Sequence, residues 1–314
     1  MMVVRLVPGR FSKAQRAKQR SKIILDDAAL SFKTQQRYYN ALRLVLPYFE
    51  SAKNIHQLDD KVCNWVRSMW RKGESLVYVA DGLCAMHFYE PWTKHKVPRA
   101  WKLYSVWRRI EMPSRAPPLT LHLVRAMSGY ELDHGNHEMS TILVLAFHCL
   151  LRTGESLQLT TSDFALGNKT AICALKHTKS GKRNAANEAI SITDPIVLES
   201  IRSLVMLRRQ QNALGCPLWT GSNTSFRKRF KQLCDIFDLS SHGFRPYSLR
   251  RGGATHLFQT TNSMEVALLR GRWESSRVAK IYISDGLSYL PSIRLSSKTS
   301  SLFQKYFYIS PQIG

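Results

Sequence analysis

The sequence is poor in acidic residues. Its 314 residues include 22 Asp and Glu against 46 Lys and Arg, which gives a formal net charge of +24. The isoelectric point near 10.1 lies well beyond what solubility requires. A charge excess of this size favours a polyanionic partner.

Long hydrophobic runs and paired cysteines are also lacking. The longest apolar run, TILVLAFHCLL, has 11 residues, which is too short to cross a bilayer, so no membrane span is predicted. The six cysteines form no CxxC pair, and we interpret them as reduced core residues of an intracellular protein. The sequence has no P-loop, no HExxH motif and no Asp/Glu cluster of the two-metal type, so no cofactor and no metal are predicted.

The chain begins with a basic arm, which we place at residues 1–28. Its first 22 residues contain no acid and no hydrophobic signal core. This pattern is typical of an organelle transit peptide, a nuclear localisation patch or an arm that contacts DNA. A solvated basic tail is an equally good interpretation.

Helical periodicity dominates residues 29–112. The stretch LSFKTQQRYYNALRLVLPYF places its apolar residues near one face of a helix, with Ser31 or Thr34 as the N-cap. Further helical patterns cover residues 59–71, 75–89 and 99–111. Basic residues in these helices alternate with Trp70, Trp92, Trp101 and Trp107. The basic flank suits phosphate contact, whereas the tryptophans more often pack a core.

A proline-rich stretch, PSRAPPLT at residues 113–120, is predicted to be a linker because two adjacent prolines cannot continue a helix. Beyond it, two short strands are predicted at residues 170–176 and 188–193, around a basic tip. Helices are predicted at residues 119–130, 139–151, 196–214, 225–237, 248–258 and 263–272. The expected fold class is therefore mainly α with a small antiparallel β-sheet in the second domain, residues 121–314.

Four motifs of this second domain occur in a specific order. They are LLRTGESL with Arg152 and Glu155, HTKSGKR with Lys179, PYSLRRGGAT with Tyr247 and Arg250, and RGRWESSRVAKIYI with Trp273 and Tyr282. This order resembles that of the tyrosine recombinase, or phage integrase, family. The resemblance covers residues 117–290 well and extends more loosely to the helical domain, which corresponds to the family's core-binding domain.

The resemblance implies two phosphate-binding arginines. Arg152 is the first, and Glu155, one helical turn away, can orient its guanidinium. Arg250 is the second, because its spacing from Tyr247 selects it over Arg251. Two guanidiniums supply the bidentate donors that stabilise a pentacoordinate phosphorane.

The remaining implied catalytic residues lie on the hairpin and near the C-terminal end. Lys179 corresponds to the family's hairpin lysine, the general acid for the leaving 5′ hydroxyl, although Lys176 and Lys182 are close in sequence. Trp273 precedes Tyr282 by nine residues, which is the family's spacing between its His or Trp and its nucleophile. Tyr282 is therefore the expected nucleophile.

The sequence departs from the family at Tyr247, where most members have histidine. A phenol with a pKa near 10 is a poor base at neutral pH and serves mainly as a hydrogen-bond partner. His242 and His256 are close in sequence but do not fit the motif. Just after the arginines, Gly252 and Gly253 fit a close approach of the backbone to another helix or to DNA.

The resemblance implies DNA strand breakage and rejoining through a 3′-phosphotyrosyl intermediate, as in site-specific recombination or integration of a mobile element. The implied partner is double-stranded DNA, bound by a homo-tetramer, with the protein located wherever that DNA lies, in the nucleus of a eukaryote. A type IB topoisomerase-like enzyme and a non-catalytic DNA-binding derivative are the alternatives. The C-terminal tail either docks on a neighbouring protomer or folds back on its own domain.

Overall fold

The computed structural model describes residues 12–21, 29–52, 54–111, 114–176, 178, 188–213 and 215–309. The chain divides into two compact units, Met1–Ser114 and Arg115–Gly314. The described part of the first unit is helical, and the second unit combines helices with a small sheet, so the predicted fold class is confirmed. No helix in the described ranges is long and apolar enough to span a membrane.

The first unit contains five α-helices among its described residues. They are α1 Lys13–Arg20, α2 Phe32–Glu50, α3 Ile55–Arg71, α4 Leu76–Tyr89 and α5 Pro98–Ile110. Ser31 caps α2, because its Oγ accepts the amide of Thr34 at 3.3 Å. Asp59 on α3 accepts the amides of Arg99 and Ala100, both at 3.1 Å, and so binds the free N–H groups at the start of α5.

The tryptophans of the first unit divide between core and surface. Trp65 and Trp107 are buried among the apolar faces of α3, α4 and α5. Trp70 and Trp92 remain 41% and 51% exposed. The latter two are therefore the tryptophans that lie on the surface near the basic residues.

The second unit has a helical core around α7. Its helices are α6 Leu121–Asp133, α7 His137–His148, α8 Thr153–Ser156, α9 Pro195–Gln210, α10 Asn223–Ile236, α11 Tyr247–Thr261, α12 Met264–Gly271, α13 Ser276–Tyr289 and α14 Ser297–Tyr306. All residues of α7 from Met139 to Phe147 are buried. A helix that is buried on every face is packed on all sides, and α6, α9 and α11 surround it.

A three-stranded antiparallel sheet lies beside these helices, in the order β1 Phe164–Leu166, β2 Ala171–Leu175 and β3 Glu188–Ile192. Cys173 on β2 is opposite Phe164 on one side and Ile190 on the other. Strands β2 and β3 agree with the prediction. The sequence did not predict β1, because it has only three residues and two of them are exposed.

Part of the predicted linker and the C-terminal tail both pack onto the rest of the second unit. Residues 116–119 of the predicted linker are buried, and the amide of Leu119 donates to the carbonyl of Ser248 at 3.1 Å. In the C-terminal tail, Tyr306 of α14 is buried against Tyr130, and Thr299 donates to the carbonyl of Phe237 at 2.6 Å. The described part of the tail therefore folds back on its own domain.

The six cysteines are unpaired thiols. Cys63, Cys149, Cys173 and Cys234 are buried, as predicted, whereas Cys216 is exposed. Burial in apolar surroundings raises the pKa of the Cys149 thiol to about 11.

The paired glycines of α11 allow two backbones to touch. A Cβ added to Gly252 would overlap the carbonyl oxygen of Leu119, and one added to Gly253 would overlap the carbonyl oxygen of Phe147 at the end of α7. The sequence predicted a close approach of these glycines either to another helix or to DNA. In the structure both glycines contact the protein's own backbone. The Gly253 contact fixes α11 against α7, and the Gly252 contact fixes it against the segment that precedes α6.

We expect Gly253→Ala to lower the free energy of unfolding by ~3 kcal/mol, because the added methyl group meets backbone that cannot rotate away. Gly154→Ala is the matched control, since no atom lies within 4 Å of a Cβ at that position; its effect should stay within ~0.5 kcal/mol. Denaturant unfolding measures both variants. An equal effect of the two substitutions would contradict the backbone contact of Gly253.

Candidate active site

The site begins where α7 ends and the chain turns into α8. Leu150 has a left-handed backbone conformation, with φ of 47°, and Arg152 is the N-cap residue of α8. The amide of Arg152 donates to Glu155 Oε2 at 2.9 Å, and its guanidinium donates to Glu155 Oε1 at 2.5 Å. Arg152 therefore precedes the helix rather than lying within it, and the predicted pairing with Glu155 is made across the helix start.

Glu155 is shared by three arginines. Besides Arg152, Arg272 Nη2 lies 2.7 Å from Glu155 Oε2, and Arg250 Nη1 lies 3.9 Å from the same oxygen. The side chain of Glu155 is only 5% exposed. Burial alone would raise its pKa, but the guanidiniums of Arg272 and Arg152 lower the pKa overall. The carboxylate is therefore ionised at neutral pH.

Arg250 is fully buried beneath Trp273. Its guanidinium donates to the carbonyls of Leu150 and Gly271, the latter at 2.6 Å, and its Cζ lies 4.9 Å from the centre of the Trp273 ring. Burial lowers the pKa of Arg250 to about 10, and the charges of Arg152 and Arg272 add to this effect. Arg250 is still protonated at neutral pH, but its positive charge is poorly compensated.

Tyr247 and Tyr282 meet at their hydroxyl groups. Tyr247 is the first residue of α11, Tyr282 lies in the middle of α13, and the two hydroxyl oxygens share a hydrogen bond. The Tyr282 ring also packs on Trp273, with 5.2 Å between ring centres. Burial raises the pKa of Tyr247, and its contact with Tyr282 raises it further. Tyr247 therefore remains a neutral phenol over the physiological range.

Arg251 contacts two residues of α13, the helix that carries Tyr282. The Cζ atom of Arg251 lies 5.5 Å from the centre of the Tyr282 ring, and its Nη2 is 3.4 Å from Asp285 Oδ2. Asp285 also pairs with Arg115. Ser275 occupies the N-cap position of α13, but its hydroxyl makes no capping hydrogen bond.

The other residues singled out from the sequence lie elsewhere or outside the described ranges. His242 contacts the carbonyl of Arg294 at 3.1 Å, and His256 packs on the Phe147 ring. Lys176, which follows β2, pairs with Asp163, which precedes β1. Lys179 and Lys182 lie outside the residues that the structure describes.

Among the predicted site residues within the described ranges, the structure brings together Arg152, Glu155, Tyr247, Arg250, Trp273 and Tyr282. No group of three or more His, Cys, Asp or Glu side chains in these ranges is placed to hold a metal ion.

Solved structures with a similar fold are DNA-recombining enzymes. The Tn1549 transposon integrase in complex with a circular intermediate DNA has a TM-score of 0.60 and 14% identity, over 88% of this chain and 98% of that one. A lambda integrase dimer bound to a COC′ core site has a TM-score of 0.56 and 14% identity, over 86% of this chain and 95% of that one. The chain has the tyrosine recombinase fold. No protein-family model and no curated protein sequence matches it.

Sequence reasoning gave no role to two residues that lie in this candidate site. Arg272 joins the cluster around Glu155, and Arg251 lies behind the Tyr282 ring. Both are arginines in a chain rich in arginine, so residue type alone did not distinguish them. No sequence signal marks Arg272. Its position depends on its left-handed backbone, with φ of 54°, which residue spacing does not encode.

We expect Glu155→Gln to destabilise the protein by ~3 kcal/mol at pH 7, because three guanidiniums then lose the carboxylate they share in a buried place. Asp60→Asn is the control, since Asp60 and its partner Arg99 are 58% and 60% exposed; its effect should stay below ~1 kcal/mol. Urea unfolding compares them. If Glu155→Gln were as stable as the wild type, the arginines would not depend on this carboxylate.

Proposed function

We propose that the protein belongs to the tyrosine recombinase family and breaks and rejoins DNA with Tyr282 as its nucleophile. The observation that supports this best is the position of the Tyr282 hydroxyl, which lies against Tyr247 in the arginine-rich site of a tyrosine recombinase fold. Structural neighbours are integrases in complex with DNA. The net charge of +24 also suits a DNA partner.

In the proposed reaction the phenolic oxygen of Tyr282 attacks a DNA phosphodiester. A phosphorus–oxygen bond to Tyr282 forms while the bond to the 5′ oxygen breaks, which leaves a 3′-phosphotyrosyl intermediate and a free 5′ hydroxyl. Lys179 supplies the proton for the leaving oxygen. Because the phosphotyrosyl bond conserves the energy of the phosphodiester, rejoining to the same or another strand requires no ATP.

Arg152 and Arg250 stabilise the charge of the transition state, and they differ in how deeply they are buried. Arg152 keeps 30% of its side chain exposed and meets the phosphate directly. Arg250 is fully buried, so it reaches the phosphate only when Trp273 shifts from its place over the guanidinium. The indole N–H of Trp273 can then donate to a non-bridging oxygen.

Tyr247 orients the nucleophile instead of deprotonating it. Its pKa is raised above that of a free phenol, so it does not accept a proton near pH 7 as an imidazole does. Its hydroxyl instead holds the Tyr282 hydroxyl in place. The proton of Tyr282 passes to water in this scheme, which predicts slow cleavage.

We assign the domains of this enzyme accordingly. The helical residues 29–112 are the core-binding domain, residues 113–120 the linker and residues 121–314 the catalytic domain. Four copies assemble on double-stranded DNA to exchange strands, and the basic residues 1–28 add contacts to the phosphates. The protein resides where its DNA target does.

A non-catalytic DNA-binding protein derived from a recombinase is the second candidate. The observation that favours it is Tyr247, which stands in the place of the usual histidine. Its hydroxyl shares a hydrogen bond with the hydroxyl of Tyr282. The strongly basic chain would then bind DNA without cleaving it. A type IB topoisomerase-like enzyme differs from a recombinase only in acting on one duplex.

We expect a covalent protein–DNA adduct when the wild-type protein meets a pool of nicked suicide duplexes with randomised flanks, because the short 5′-hydroxyl fragment diffuses away and prevents rejoining. Denaturing gels detect the adduct, and mass spectrometry of the cross-linked peptide locates it. Tyr282→Phe should abolish the adduct and leave salt-sensitive DNA binding intact.

An adduct that persists in Tyr282→Phe would contradict the assignment of the nucleophile. DNA binding without any adduct would favour the non-catalytic candidate. Strand exchange between two duplexes, tested with the sequences recovered in adducts, distinguishes a recombinase from a topoisomerase.

We expect Tyr247→His to accelerate adduct formation by about 10²-fold at pH 7, because an imidazole beside Tyr282 accepts its proton. Tyr247→Phe is the control, since it removes the hydrogen bond and adds no base; it should slow the reaction. Single-turnover kinetics on the suicide duplex measure both. A Tyr247→His variant no faster than the wild type would show that proton acceptance at this position does not limit the rate.

A further inference from the structure

Arg272 has an unusual backbone position at the end of α12. It is the C-cap residue of that helix, with φ of 54° and ψ of 45°, a left-handed conformation that glycine adopts far more readily than arginine. The preceding Gly271 packs directly beneath the Trp273 ring. A long side chain in a strained turn indicates that the side chain itself has a role.

The guanidinium of Arg272 connects two acids from different elements. Its Nη2 lies 2.7 Å from Oε2 of Glu155 in α8, and its Nε lies 3.3 Å from Oε2 of Glu188 at the start of β3. Nη1 and Nη2 also lie 3.4 Å from the carbonyls of Cys149 and Leu150. The side chain is only 8% exposed, and its donors are directed at these acids and carbonyls.

Glu155 competes with a phosphate for the arginines of the site. Its Oε1 pairs with Arg152, and its Oε2 has Arg272 at 2.7 Å and Arg250 at 3.9 Å. If Arg272 were absent, the charge of Oε2 would attract Arg250 more strongly. Arg250 would then be held by the carboxylate and less able to stabilise charge on a phosphate.

We propose that Arg272 is a positioning residue of the reaction described under Proposed function, on which this inference rests. It neutralises Glu155 Oε2, so that Glu155 orients Arg152 without capturing Arg250. The Arg250 guanidinium, bonded to the carbonyls of Leu150 and Gly271, is then available to the phosphate once Trp273 shifts. Through Glu188 it also ties this cluster to β3, the strand that follows the hairpin predicted to carry Lys179. Arg272 therefore acts through other residues and does not touch the substrate.

The test is single-turnover adduct formation by Arg272→Gln on two suicide duplexes, with a phosphodiester or an uncharged methylphosphonate at the scissile position. The substrates are made with a sequence recovered from wild-type adducts. We expect the variant to slow cleavage of the phosphodiester by about 10- to 100-fold. The methylphosphonate should be affected much less, because its transition state carries less charge for the arginines to stabilise.

Arg208→Gln is the matched control, since Arg208 is also a buried arginine paired with an acid, Glu138, away from the site. It should not discriminate between the two substrates. Arg272→Lys, which keeps the cation but loses the fork of donors, is measured in parallel and should show the same selective loss at about 3- to 10-fold. If Arg272→Gln fails to fold, as judged by circular dichroism, Arg272→Lys decides.

Each outcome separates this inference from the proposed function. Equal slowing of both substrates, or no slowing of either, overturns the positioning role while the wild-type adduct still supports the proposed function. A wild-type protein that forms no adduct with either substrate contradicts both.

Discussion

The second unit is organised around one buried carboxylate. Glu155 accepts the guanidinium of Arg152 on one oxygen and that of Arg272 on the other, and Arg250 lies close behind. Such a concentration of positive charge is unfavourable away from water unless acids and carbonyls compensate it. Glu155 therefore allows the arginines to coexist while leaving a net positive site, which is what an anionic substrate requires.

The helical frame was largely predictable, because apolar periodicity and capping residues are local signals. Ser31 caps α2 and Asn223–Ile236 forms α10 where the pattern indicated. Short elements escaped prediction: β1 has three residues, and its pairing with β2 depends on contacts rather than on its own composition. The packing of α14 on its own domain likewise depends on tertiary contacts that no local pattern encodes.

The candidate site was predictable to the extent that motif order reflects function. Arg152, Tyr247, Arg250, Trp273 and Tyr282 come from three separate stretches of the chain, and the structure brings them together. The roles of Arg251 and Arg272 were not predictable, since they follow from where their guanidiniums point. The burial of Arg250 beneath Trp273 was equally hidden, because spacing along a helix does not report depth.

The glycine contacts of α11 have a consequence for how this site can change. Because Gly252 and Gly253 hold the helix through backbone atoms of Leu119 and Phe147, the path of α11 does not depend on the side chain of Tyr247. That side chain can be exchanged without displacing Arg250, which lies one turn further along the same helix. A substitution at position 247 therefore changes the acid–base properties of the candidate site and leaves the arrangement of its arginines in place.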